Sequence, residues 1–400
     1  MVAVLVMVSW HSATAADLRF KHHFITRELP ITEKAVGDYG LTALADLDRD
    51  GDLDFVLGGR PSSPSQLYWF EFQTSDRWVQ HRVGTNYLSD VGLAALDVDN
   101  DGWLDLVCSG AWYRNSGKPR ESKFERIVFD PNAAGAHDIL VADMNGDGKK
   151  DIVMMGDERT KLNALCWFSI PSDPKQAWTR HAIGAPVHGA ITPGGAGDLD
   201  GDGDIDMVRA DTWFENKDGK GLEWIPHQNV PMGRKGPFGV CVRTAMADLD
   251  GDGRKEVVVA DADITGSKVV VLKNGDGKGG AWSKTELPQS FTYGSLHSLA
   301  VADFNGDGRP DIAVNEQEEL LPSGRENPRW VIWENSGGNK FAERIALDTK
   351  LGGHELQVGD VDNDGAIDIV SKPWGPRPWN GNGGKMHVDF LRNLGTTSKR

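Results

Sequence analysis

The sequence predicts an all-β fold, a seven-bladed β-propeller. One aspartate-rich motif recurs seven times, its period is close to fifty residues, and short apolar runs flank each copy. The motif reads D-x-[DN]-x-D-G-x-x-[DE]. It starts at Asp46, Asp97, Asp143, Asp198, Asp248, Asp303 and Asp360, with spacings of 51, 46, 55, 50, 55 and 57 residues. That period suits a four-stranded blade. The stretch LAVADFNGDGRPDIAVN shows the local logic: Val, Ile and Ala runs read as strands, so the motif is the turn between a blade's first and second strands. Third strands often end in aromatic-x-x-Asn, as in AWYRN from Ala111 and DTWFEN from Asp211. Fourth strands follow, such as WTRHAI from Trp178.

The last repeat stops at its third strand, HVDFLRN from His387, while a spare strand, FKHHFITREL from Phe20, precedes the first motif. The N-terminal strand is therefore expected to complete the last blade and remove the open sheet edge. The propeller is assigned to residues 18–393, with 394–400 as a tail and 1–15 as a secretion signal. The signal rests on the apolar run Val2 to Val8 and on Ala13-Thr14-Ala15 before a cleavage point. The basic start of such a leader is missing, and a merely apolar terminus is the alternative. A secreted or periplasmic location follows from the signal. No segment is long enough to span a membrane.

Composition narrows the function. The chain has 400 residues and a formal net charge of −16, which argues against nucleic-acid binding. Cys108, Cys166 and Cys241 are an odd count within apolar runs and read as buried free thiols.

The acid excess has a local source. Positions 1, 3 and 5 of each motif set oxygen side chains around a tight turn, position 6 is always Gly, and position 9 returns a further carboxylate. This is hard-oxygen coordination suited to Ca²⁺, at up to seven sites. The ligands would be Asp46, Asp48, Asp50 and Asp54; Asp97, Asp99, Asp101 and Asp105; Asp143, Asn145, Asp147 and Asp151; and Asp198, Asp200, Asp202 and Asp206. The last three repeats offer Asp248, Asp250, Asp252 and Glu256; Asp303, Asn305, Asp307 and Asp311; and Asp360, Asp362, Asp364 and Asp368. An EF-hand would need Glu at position 12, where this chain has Leu57, Cys108, Met154, Arg209, Val259, Val314 and Ser371. Seven Ca²⁺ ions would bring the formal charge from −16 to about −2, so stability is expected to depend on calcium. The alternative is that some loops are only polar turns. The motifs resemble the FG-GAP or VCBS repeats of integrin-α-like propellers. That resemblance implies calcium loops on one face and ligand binding on the other.

The opposite face is where first strands begin. His137, His297 and His354 each stand six residues before their first aspartate, which implies equal depth around the axis. Converging imidazoles suit a transition metal such as Zn²⁺, or an acid and a base. Arg243, His188 and Lys372 join them as candidate catalytic residues, with Asp138, Glu316, Glu355, Trp374 and Trp379 as candidate substrate contacts. Aromatic planes among polar groups suit a carbohydrate partner. The alternatives are structural: histidines that cap backbone groups and tryptophans that pack between blades.

LHSLAVADFNGDGRPDIAVNE, RWVIWEN, GGHELQVGDVDNDGAIDIVSKPW and MHVDFLRN resemble a narrower group, the propeller domain of aldos-2-ulose dehydratase and its bacterial relatives. That resemblance implies a carbon–oxygen lyase dehydrating keto-sugars with metal assistance. The sequence ends after the propeller without the cupin domains of that group, which puts an isomerase step in doubt. The expected function is metal-assisted β-elimination on a keto-sugar or uronic-type sugar. The alternative is a calcium-stabilised module that binds glycan or protein without catalysis. A glycoside hydrolase is less supported, because no carboxylate pair stands apart from the loops.

Overall fold

A computed structural model describes residues 17–32, 37–60, 65–232 and 234–397. The expected leader, 1–15, lies outside the described residues. Seven antiparallel sheets of four strands are arranged as propeller blades. The first strands are Tyr39–Ala45, Ala94–Leu96, Ala136–Ala142, Ala196–Gly197, Val242–Ala247, Ala300–Ala302 and His354–Gly359. First strands of neighbouring blades touch around the axis, as Tyr39–Ala45 does with those of blades two and seven. Blade five gains a short parallel strand, Pro193–Gly194, on its inner edge. Second strands such as Asp54–Gly59 and Asp151–Gly156 are buried along their whole length, because each lies between two strands and between two blades. Fourth strands such as Thr179–Gly184 are mostly solvent-facing.

Closure follows the expected route. Asp17–Thr26 pairs antiparallel with Val388–Thr397, with His22 opposite Leu391 and Asp17 opposite Thr397. The third strand of blade seven therefore runs to Thr397, so residues 394–397, expected to be tail, belong to a paired strand. Strand pairing along the whole N-terminal strand draws it out.

Each motif makes the same turn. Its position-6 glycine takes φ between 83° and 100° in all seven loops, a backbone state that a side chain would strain. The amide of that glycine donates to the first aspartate, as Gly148 does to Asp143 at 2.9 Å. The ninth-position acid then ties the turn to the blade. Asp311 accepts from the Phe304 amide at 3.1 Å and from the Asn335 amide at 2.7 Å. Asp54, Asp105, Asp206 and Asp368 repeat this pair of bonds.

The third-strand asparagine joins neighbouring blades. Asn335 Nδ2 donates to the Leu249 carbonyl of blade five at 2.7 Å, and Asn115, Asn216, Asn274 and Asn393 make the same bond to the preceding blade. Blades one and three carry Phe72 and Ile170 at this register instead. Trp69, Trp167 and Trp213 are buried on third strands, and the cross-strand partners His81, His181 and His227 lie flat on them at 4.0–4.4 Å between centroids. These histidines are packing residues. Cys108, Cys166 and Cys241 are buried free thiols. Among the described residues no helix is long and apolar enough to cross a membrane.

Candidate functional site

The first strands place imidazoles at one opening of the ring. The pairing of the first two strands slips by one residue at Ala136/Asp138 in blade three and at His354/Leu356 in blade seven. Such bulges re-aim side chains. At the second, Glu355 adopts φ 65°, a strained state for a non-glycine residue. A cleft of about 650 Å³ opens here, within the usual range for small-molecule sites.

His137, His188, His297 and His354 all line this cleft. The His137 ring centroid lies 4.8 Å from that of His188 and 5.7 Å from that of His297, and His297 stacks on His354 at 3.9 Å. All four have a carboxylate near Nδ1: Asp138 at 2.9 Å from His137, Asp157 at 3.0 Å from His188, and Glu355 Oε1 at 3.4 Å from both His297 and His354. Arg159 also approaches His188 Nδ1, at 2.9 Å. Arg159 and His188 hold the Asp157 carboxyl well below the usual carboxylate range against burial. At His137 the Asp138 carboxylate on Nδ1 leaves Nε2 as the lone-pair nitrogen.

The Nε2 atoms meet two further ligand types. His188, Cys241 and Asp263 bring one ligand atom each within 4.8 Å of one another. Cys241 Sγ lies 3.7 Å from His297 Nε2, and Asp263 Oδ2 lies 3.7 Å from His188 Nε2. These spacings are close to the ~3.3–3.7 Å edges of a tetrahedron around a metal with bonds of about 2.0–2.3 Å. The donor set of imidazole, thiolate and carboxylate suits Zn²⁺ or a similar transition metal. His354 is a different kind of residue. It is sandwiched between His297 and Trp374, the latter at 4.5 Å, and its Nδ1 lies 3.4 Å from both Lys372 Nζ and Glu355 Oε1.

Electrostatics separate these groups. For His137, burial favours the neutral ring, but the Asp138 hydrogen bond and charge outweigh it and raise the pKa. Burial, then the charges of His297 and Lys372, push His354 well below the usual imidazole range. Burial brings the Lys372 ammonium down to about 7. Burial, reinforced by Glu318, raises the Glu319 carboxyl to about 8.

Several expected contacts sit elsewhere. Asp138 and Glu355 lie behind the imidazoles. Asp138 accepts from the Ala190 and Ile191 amides and from Thr192, while Glu355 pairs with Arg243 at 2.7 Å. Arg243 is thus a buried counter-ion below the cleft, 3.5 Å from Asp138 on its other side. Lys372 is fully buried and donates to the Tyr39 carbonyl at 2.6 Å. Glu316 is not a cleft residue. It is fully buried and binds the Gly294 and Arg329 amides and Arg325, which fixes its own loop. Trp379 does not line the cleft, whereas Trp374 does.

The residues that sequence reasoning missed include Gln317 and Glu319. The run from Asn315 alternates: Glu316 and Glu318 clamp loops, and Gln317 and Glu319 face the cleft. A two-residue period was the available signal. A second signal lies in the repeats. Arg60, Asp157, Gln317 and Trp374 each stand fourteen residues after the first aspartate of their repeats, and all four line the cleft. Phe238, on the tip between Lys235–Gly236 and Gly239–Val240, packs on His188 at 5.2 Å and had no sequence signal.

On the other face, buried carboxylate oxygens at Asp46, Asp99, Asp204 and Asp362 have no hydrogen-bond partner among the described residues. Asp46, Asp48 and Asp50 converge within 4.8 Å, as do Asp198, Asp200 and Asp206. These clusters fit a hard cation. The ninth-position acids are less free as ligands than expected, since backbone amides use their oxygens, although each oxygen keeps a second lone pair.

The FG-GAP-like repeat family matches residues 46–108, 198–259 and 248–314. No curated protein matches the sequence. Among solved structures, the V. cholerae biofilm matrix protein Bap1 is similar with a TM-score of 0.50 and 11% identity, over 94% of this chain and 91% of that one. AofleA from Arthrobotrys oligospora is similar with a TM-score of 0.44 and 10% identity, over 96% and 89%. The chain is a seven-bladed β-propeller that is similar to FG-GAP-like repeats over those three segments.

Proposed function

We propose that the cleft binds a keto-sugar or uronic-type sugar and eliminates across its α,β-carbons, as a secreted, calcium-stabilised lyase. The observation that carries this reading is the set of His137 and His188, each hydrogen-bonded to a carboxylate, and His297, with Cys241 and Asp263 beside them in an aromatic-walled cleft. A metal held by these residues would polarise the substrate carbonyl.

The chain supplies the proton chemistry. His354 stays neutral at pH 7 and takes the α-proton; the electron pair forms the C=C bond as the β-carbon–oxygen bond breaks. Glu319, protonated at that pH, gives its proton to the departing oxygen. Trp374 and Phe238 offer faces to the sugar ring.

A second reading has its own support. Exposed Phe238 and half-buried Trp374 in one cleft also suit glycan binding without catalysis. The test uses purified, metal-analysed protein with 1,5-anhydrofructose and uronic oligosaccharides, following the ultraviolet absorbance of the conjugated product. Turnover that is lost in His354→Ala and Glu319→Gln, with binding retained, supports the lyase. Tight glycan binding with no turnover of any such sugar leaves the binding module.

A further inference from the structure

The blade-six loop, 316–329, and the blade-seven loop, 373–387, form one wall of the cleft, to which they give Gln317, Glu319, Trp374 and Arg377. Glu318 stands between these loops and does not line the cleft. We infer that Glu318, held by His387, positions this wall, and that the N-terminal closing strand reaches the wall through His22 and Asp389.

Glu318 is 1% exposed and turns both oxygens to blade seven. Its Oε1 accepts from the Gly352 amide at 3.2 Å and lies 3.2 Å from His387 Nε2. Its Oε2 accepts from the Arg377 amide at 2.9 Å and from Asn380 Nδ2 at 3.2 Å. The Glu316 carboxylate, by contrast, binds groups of blade six and of the connection into it. Glu318 therefore crosses between blades where Glu316 does not. Its chain neighbours Gln317 and Glu319 point the other way, into the cleft, so the bonds that fix Glu318 also fix their height. The approach to Gly352 is close: a Cβ there would stand 2.7 Å from Glu318 Cγ. His354 follows two residues later.

The contacts continue outward to the closing strand. His387 Nδ1 lies 2.6 Å from Asp389 Oδ2, and Asp389 Oδ1 lies 2.8 Å from His22 Nε2. His387 and Asp389 are fully buried, and His22 belongs to Asp17–Thr26. Carboxylates on both sides of one imidazolium make charge-assisted bonds, which are stronger than neutral ones. A second tie lies nearby, where Asn382 Nδ2 donates to the Arg27 carbonyl at 2.6 Å.

Hydrogen exchange of the full-length chain, read by mass spectrometry, tests the inference. Glu318→Gln keeps the shape but turns an NH2 group toward two of the four donors, whichever way the amide lies. It should speed exchange about tenfold in peptides from 316–329 and 373–387 and leave Ala136–Ala142 unchanged. His387→Gln should do the same, and it decides if the first variant fails to fold. His22→Gln should loosen the same two loops to a smaller extent. Asn216→Ala, which removes a bond between blades three and four, is the control for general loss of stability. Unchanged exchange in both loops, or a rise spread over the blades as in the control, overturns the positioning role. No effect of His22→Gln overturns the link to the closing strand.

The consequence for the sugar rests on the lyase reading. Glu318→Gln should weaken calorimetric binding of 1,5-anhydrofructose by about tenfold, with metal content unchanged. Unchanged binding in a chain whose loops have loosened overturns the role of Glu318 in the site. A parent chain that neither binds nor turns over any sugar removes the lyase reading, and the exchange data still decide the positioning.

Discussion

The His354 ring lies flat on the His297 ring, with centroids 3.9 Å apart and planes 14° from parallel. Two stacked imidazoles this close cannot both carry charge without strong repulsion. Glu355 Oε1 stands 3.4 Å from the Nδ1 atoms of both, and Lys372 stands 3.4 Å from that of His354. The pair therefore divides its roles: His354, nearest the lysine, stays neutral, while His297 turns its other nitrogen to Cys241.

That division predicts two classes of substitution. Cys241→Ser and His188→Ala should lower bound transition metal more than tenfold, as measured by mass spectrometry of the purified chain. His354→Ala should leave the metal content unchanged. Equal metal loss in His354→Ala would place the ion on the other side of His297, against Glu355.

His387 and Lys372 should give opposite pH dependences of stability. His387 is fully buried between Asp389 at 2.6 Å and Glu318 at 3.2 Å, and these partners overcome burial to raise its pKa to about 10. Its charged form is favoured by folding. That contribution is complete below about pH 6.5, the unfolded value, and is lost as pH rises through about 10. Urea titrations of His387→Gln at pH 6 and pH 10 should show this loss missing, on the order of a few kcal/mol.

Lys372 works the other way. Its folded pKa of about 7 lies below the unfolded value near 10.4, so the unfolded chain binds more protons between them. Stability from this group therefore rises as pH goes from about 7 to about 10 and is lowest, and constant, below that window. Lys372→Met should be more stable relative to the parent chain at pH 6 than at pH 10. A constant difference at both values would show that the ammonium is not desolvated.

The inter-blade asparagines should matter one by one. Asn335→Ala removes a buried bond to the Leu249 carbonyl and leaves that acceptor unsatisfied, at a cost of about 1–3 kcal/mol. Calorimetry should show a lower melting temperature. Replacing Phe72, which holds the same register in blade one, with Asn tests the reverse, with loss of apolar burial expected to outweigh any bond gained.

Removing the N-terminal strand, Asp17–Thr26, should cost far more than trimming an exposed end. It strips the outer strand from blade seven and exposes the edge of Val388–Thr397. Circular dichroism melts should lose their cooperative transition, and aggregation should increase. If calcium fills the loops, as proposed, chelator treatment of the intact chain should lower the melting temperature, because converging carboxylates such as Asp46, Asp48 and Asp50 would repel one another without it.

What the sequence determined by itself was everything that repeats. The seven loops, the strand pairs around them, the closing strand and the common register of His137, His297 and His354 were legible because each blade solves the same local problem with the same spacing. Parity was legible too, although Glu316 rather than Glu319 was read as facing the cleft. What only the tertiary structure decided was convergence between blades. Cys241 and Asp263 from blade five, His188 from the connection between blades three and four, and Phe238 on a turn share no spacing. They meet because the ring brings separate strand ends to one axis, and no single repeat records that distance.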